Sequence, residues 1–176
     1  MSTRLPERID PLRLANREAK LIGEVALDGM KRLADTVHST TGSALVELEF
    51  GQDANGQILV SGKIEARLRL LCQRCLEPAG LDVERSVALA VLESPSLAES
   101  LAPDTEPLLC TAGSVALADL VEDELLLSLP QEAMHQEGRC AEQHQWTYGG
   151  APQAVEDENR DGPFACLAEL KTDLKR

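Results

Sequence analysis

Two residues separate Cys72 from Cys75, and four separate His135 from Cys140. A two-residue spacer lets both sulfurs of a tight turn point at one tetrahedral ion. His135 and Cys140 add a nitrogen and a third sulfur. Cys72, Cys75, His135 and Cys140 thus make a complete donor set for one structural Zn²⁺. Four protein donors leave no open position, so the ion would hold structure and activate no water. Three thiolates and a neutral imidazole give the site one excess negative charge, which Arg74 and Arg139 stand beside ligands to offset. The long interval between the two pairs is unlike a standard finger. Spacing alone therefore leaves open the alternative that these thiols simply pack in the core or sit at the surface. His144 is a spare donor, read as a solvent-facing loop residue. Cys110 and Cys166 read as packing residues and His38 as a surface residue.

Other chemistries fit less well. A thioredoxin-like redox enzyme also uses Cys-x-x-Cys, but it needs a βαβ context with the first thiol at a helix N-terminus. A zinc deaminase needs His-x-Glu followed by Pro-Cys-x-x-Cys. His135-Gln136-Glu137 matches the first half, but the order is reversed and no proline precedes Cys72. There is no phosphate-binding glycine loop, no Gly-x-Ser-x-Gly elbow and no histidine placed as a general base. The expectation is a protein with no catalytic residues.

The elements that must position the thiols are strands. Ile58, Val60, Ile64, Ala66, Leu68, Leu70 and Cys72 share one face of a long alternating segment. Lys63, Glu65, Arg67 and Arg69 share the other. That period predicts a strand with one face on the core and one in water, ending at Cys72. Before it, Ala44–Phe50 alternates in the same way, and Asp53-Ala54-Asn55-Gly56 is a hairpin turn. After it, Pro78-Ala79-Gly80 turns the chain, and Leu81 to Val91 returns antiparallel. Leu21–Leu27 reads as a short strand, with Ile9, Leu12 and Leu14 as anchors upstream. Asp28 caps a helix reaching Val37, and Ser114 caps a second from Val115 to Leu129, stopped by Pro130. On that second helix Asp119, Glu122 and Asp123 make an acidic face, while Glu124 falls beside the apolar stripe and reads as a rim residue reaching water. Residues 93–108 and 141–162 read as loops, the latter carrying Trp146 and Tyr148. Pro163–Leu170 reads as a short docking helix. The fold class expected is α+β: an antiparallel meander, a few packed helices and a Cys/His corner, in one domain over residues 1–176.

The chain carries a formal charge of −13 and few aromatic residues. Both features disfavour broad electrostatic capture of nucleic acid and binding by base stacking. An acidic protein fits a basic protein partner better, although Lys63, Arg67, Arg69 and Arg74 line one edge and are candidate RNA contacts. Asp119, Glu122 and Asp123 are candidate protein contacts. No segment has the ~18 apolar residues of a membrane-spanning helix. The first residues lack the apolar run of a secretory signal, and the cysteine count is odd, so reduced thiols in the cytoplasm are expected.

Leu70-Leu71-Cys72-Gln73-Arg74-Cys75-Leu76-Glu77-Pro78 resembles the Cys-Gln-Arg-Cys signature of the YceD family, the large ribosomal RNA subunit accumulation proteins of bacteria and plastids. Asp119–Pro130 resembles that family's acidic helix ending in Leu-Pro. Met134-His135 to Cys140 is similar to its following His/Cys segment, and Pro163–Lys171 to its C-terminal ending. Ile9-Asp10-Pro11 and Leu21-Ile22-Gly23 also fit. Some family members carry more cysteines after the Leu-Pro than the pair of donors here. The resemblance implies a role in synthesis, processing or accumulation of large-subunit (23S) ribosomal RNA, and no reaction. The partner it implies is the RNA precursor or a ribosomal or assembly protein. The alternatives are a module that chaperones a basic ribosomal protein and a Cys-x-x-Cys redox enzyme.

Overall fold

The structure is a computed structural model, and it describes residues 5–101, 105–135 and 140. The chain divides into two units, Met1–Cys140 and Ala141–Arg176, and every described residue lies in the first. Arg139, His144, Trp146, Tyr148, Cys166, the 141–162 loop and the Pro163–Leu170 helix lie outside the described residues.

The order is β1 (Arg8–Ile9), α1 (Pro11–Ala15), β2 (Lys20–Ala26), α2 (Lys31–Ala34), β3 (Ser43–Gln52), β4 (Ile58–Leu71), β5 (Pro78–Leu92), a 3₁₀ turn (Pro95–Ser100), β6 (Glu106–Leu109), β7 (Val115–Ala116) and α3 (Leu117–Leu127). Strands β2 to β5 form an antiparallel meander, and β6 adds in parallel at the β5 edge. A two-stranded β1–β7 ladder stands apart. The architecture is α+β.

Alternation decides which face of the sheet is covered. Val46, Leu48, Val60, Ile64 and Leu68 are fully buried on one face, against Leu33 of α2 and Leu117, Val121 and Leu125 of α3. Their opposite neighbours, such as Glu47, Glu49 and Arg67, face solvent. The β3–β4 hairpin is closed by Asp53, whose carboxylate accepts the N–H groups of Asn55 and Gln57, each at 2.8 Å. Gly56 supplies the positive φ that the turn needs. Gly62 has a different reason: a Cβ there would lie 2.0 Å from the Glu47 carbonyl oxygen. The two backbones meet too closely for any side chain.

Several expectations are corrected. The helix expected from Asp28 to Val37 spans only Lys31–Ala34, with Met30 extended before it. Sheet pairing ends it, because His38 donates its N–H to the Arg69 carbonyl at 2.7 Å and Ser39 bridges to Arg69. Ser114 does not cap α3. Val115–Ala116 is drawn into the β1 ladder, and the Ser114 hydroxyl accepts from the Arg8 guanidinium at 2.9 Å instead. Asp10 does cap α1, accepting the Arg13 N–H at 3.0 Å ahead of Pro11. Pro78 to Gly80 is not a turn but already strand, so the turn is the thiol segment itself. Segment 93–108, read as a loop, holds the 3₁₀ turn and most of β6.

Candidate metal centre

Register places the two thiols. Leu71 pairs with Pro78, so Cys72 to Glu77 is the tip of the β4–β5 hairpin. Cys72 donates its N–H to the Glu77 carbonyl at 2.9 Å, and its own carbonyl accepts from Leu76 at 2.8 Å. This knuckle needs Leu76 in the left-handed region, at φ 61°. Leu76 is also one of the most exposed large apolar residues. A Gly would adopt that backbone without strain, and a leucine does not.

Helix α3 supplies the other half. The irregular segment after it runs beside the knuckle, where Gln73 donates its N–H to the Ala133 carbonyl at 2.9 Å. That contact sets His135 against the thiols. The ligand atoms of Cys72, Cys75, His135 and Cys140 all lie within 4.8 Å of one another. Cys72 Sγ is 3.6 Å from Cys140 Sγ, and His135 Nδ1 is 3.4 Å from Cys75 Sγ and 3.5 Å from Cys140 Sγ. A tetrahedral ion with bonds of about 2.3 Å holds its sulfurs about 3.8 Å apart, close to that spacing. The three cysteines are free and buried.

The imidazole is oriented from behind. Its Nε2 lies 3.1 Å from the Pro78 carbonyl oxygen. A carbonyl can only accept, so Nε2 carries the proton and Nδ1 presents its lone pair to the sulfurs. The thiols are tuned too. Burial alone would push Cys72 up, but the N–H groups of His135, Cys75 and Arg74 and the Cys140 thiol hold it down at about 5. Cys140 is pushed up to about 11 by burial, then by its bonds to Cys72 and Cys75 and their charge. The fold thus favours the thiolate at Cys72 and the thiol at Cys140, whose proton a bound metal ion would displace. This group can hold a metal ion, and its donor set of three sulfurs and one oriented nitrogen suits zinc. The thiol segment closes a hairpin and starts no helix, so the thioredoxin geometry is lacking here.

Cys110 is buried as expected, and its thiol is pushed up by burial, with Asp10 nearby adding to it. His38 is exposed.

The other candidate contacts are scattered. Lys63 forms ion pairs with Glu65 and with Glu84, the latter at 3.0 Å, and Arg67 faces Asp82 at 3.4 Å. Arg69 is exposed on the same sheet face, while Arg74 lies at the knuckle with its guanidinium 3.9 Å from Met134 Sδ. The helix face is smaller than expected. Asp119 is exposed, but Glu122 is only 5% exposed. Its carboxylate accepts from Arg32 at 2.9 Å and from the Leu33 N–H at 3.0 Å, because α2 packs over it. Burial alone would raise the Glu122 carboxyl; the Leu33 N–H and the Arg32 guanidinium outweigh it and hold it below the usual range. Asp123 shares the other arm of Arg32. Glu124, read as a rim residue, is 3% exposed and paired with Arg85 at 2.8 Å. The sequence offered no sign of the Pro78 carbonyl, which orients His135, since a backbone oxygen leaves no residue signature.

The family model described as "Large ribosomal RNA subunit accumulation protein YceD" matches residues 60–171. The curated protein of that name from Haemophilus influenzae is 32% identical over 170 residues, covering 96% of this chain and 97% of the relative. No solved structure matches the chain.

Proposed function

Since the chain belongs to the YceD family of large ribosomal RNA subunit accumulation proteins, we propose that it is a non-enzymatic, cytoplasmic factor in the synthesis, processing or accumulation of large-subunit ribosomal RNA. The likeness to a relative of that name over 96% of this chain carries the reading. Cys72, Cys75, His135 and Cys140 hold one structural Zn²⁺. The ion supplies a cross-link between the β4–β5 tip and the segment after α3. Cys72 and Cys75 bring two donors on a rigid hairpin, and the Pro78 carbonyl keeps His135 Nδ1 turned toward them. All four positions of a tetrahedral ion are filled by protein, which supports a structural ion over a catalytic one.

The test is the ratio of large- to small-subunit ribosomal RNA in cells depleted of this protein, complemented by wild type or Cys72→Ser. A selective fall in large-subunit RNA, restored by wild type only, is the expected result. An unchanged ratio on depletion would overturn the reading.

A second reading, a module that chaperones a basic ribosomal protein, is favoured by one observation. Lys63 and Arg67, offered as RNA contacts, are both engaged by carboxylates of their own sheet. Co-purification with and without nuclease separates the two. Partners that survive nuclease support protein binding, and partners that vanish support RNA.

A further inference from the structure

Among the described residues no element packs on the outer face of the β2–β5 meander, and its side chains are ordered by register. Glu24, Leu45, Glu65 and Glu84 form one row across the four strands. Ile22, Glu47, Lys63 and Ser86 form the next. A depression of about 550 Å³ lies on the first row, lined by Glu24, Leu45, Glu65, Arg67, Asp82 and Glu84. Four carboxylates thus face one guanidinium, and Asp82 already engages it. Lys63 is held between Glu65 and Glu84. Among the described residues, Glu24 is bonded only to the Ser43 hydroxyl, at 3.0 Å, and Glu47 has no ion pair. Amid these charges stand two aliphatic side chains in diagonal contact range, Ile22 at 57% exposure and Leu45 at 40%.

We infer that this sheet face is a docking surface for a lysine- and arginine-rich segment of a protein partner. The inference rests on the basic-protein reading above and gives it a location. Long basic side chains lay their methylene stems over apolar surface and put their charged heads on carboxylates. Ile22 and Leu45 provide the apolar floor, and Glu24 and Glu47, which no basic side chain among the described residues engages, provide the acceptors. A phosphate backbone meets the wrong sign here.

The experiment titrates the full chain, labelled at isoleucine and leucine methyl groups, with a short unstructured Lys/Arg-rich peptide and separately with a single-stranded RNA. The peptide is expected to shift the Ile22 and Leu45 methyl signals. Ile22→Ser and Leu45→Ser change no charge, and each is expected to weaken the peptide about tenfold. Asp119→Asn, on the opposite layer, is expected to leave it unchanged. Unaltered peptide affinity in both Ser variants would reduce the effect to bulk attraction by an acidic protein and overturn the docking surface. Shifts of the same methyls by the RNA would overturn the choice of partner. Peptide affinity is measured without reference to ribosomal RNA levels. A failed titration therefore leaves the accumulation reading standing, and an unchanged RNA ratio leaves the titration standing.

Discussion

Acidic groups are buried at two places near helix α3, and the fold treats them differently. Along the helix body, Glu122 and Glu124 are buried, and each meets a guanidinium of the same fold, Arg32 or Arg85. Beyond its end, the thiols of Cys72, Cys75 and Cys140 converge on His135 with no ammonium or guanidinium bonded to any of them among the described residues. The first region is complete once the chain has folded. The second gathers three thiols and an imidazole that could hold a metal ion. The body of α3 should therefore respond to charge substitutions and the corner to metal.

Cys72→Ser tests that division with the largest effect. The variant should lose its zinc, and its melting temperature should fall by roughly 10 °C or more. Chelation of the wild type should lower the melting temperature similarly and leave Cys72→Ser unmoved. A variant that keeps both metal and melting temperature would erase the contrast. Next comes Arg85→Met, which strands the buried Glu124 carboxylate and should cost roughly 2–4 kcal/mol in chemical denaturation. The double variant Arg85→Met/Glu124→Leu should recover most of that loss, because no charge is then left unpaired. Metal content should stay constant in both.

The third prediction concerns pH. The folded Glu122 carboxyl is held below its unfolded value, so its contribution is fully present above the ordinary glutamate range. It is lost as pH falls through the depressed folded value. Glu122→Gln should flatten that part of the acid profile, measured with metal already chelated so that proton competition at the thiols does not contribute. A profile as steep as wild type would mean that Glu122 carries none of it. The smallest effect is expected for Asp123→Asn. It removes only the solvent-exposed arm of the Arg32 fork and should move the melting temperature by no more than about 1 °C.

The two regions were also unequally legible in the sequence. Sulfur and imidazole announce themselves by type, so Cys72, Cys75, His135 and Cys140 could be grouped before any fold was known. Period-two alternation likewise set the long strand and its buried face. Glu122 and Glu124 could not be read this way. A carboxylate beside an apolar stripe is burdened or satisfied according to what packs over it, and Arg32 and Arg85 come from 90 and 39 residues away. The helix ends failed for a similar reason. Ser114 is a good cap residue, but its neighbours Val115 and Ala116 gain a strand partner in β1, and α3 starts after them. Asp28 lost its helix to the pairing of His38 and Ser39 with β4. Local propensity gave way wherever a distant strand offered backbone hydrogen bonds.

The most direct test of the metal corner is X-ray absorption at the zinc edge of the purified full chain. The expected result is one zinc per chain with three sulfur neighbours at about 2.3 Å and one nitrogen at about 2.0–2.1 Å. A protein that binds no zinc, or zinc held in a shell of oxygen and nitrogen, would contradict it.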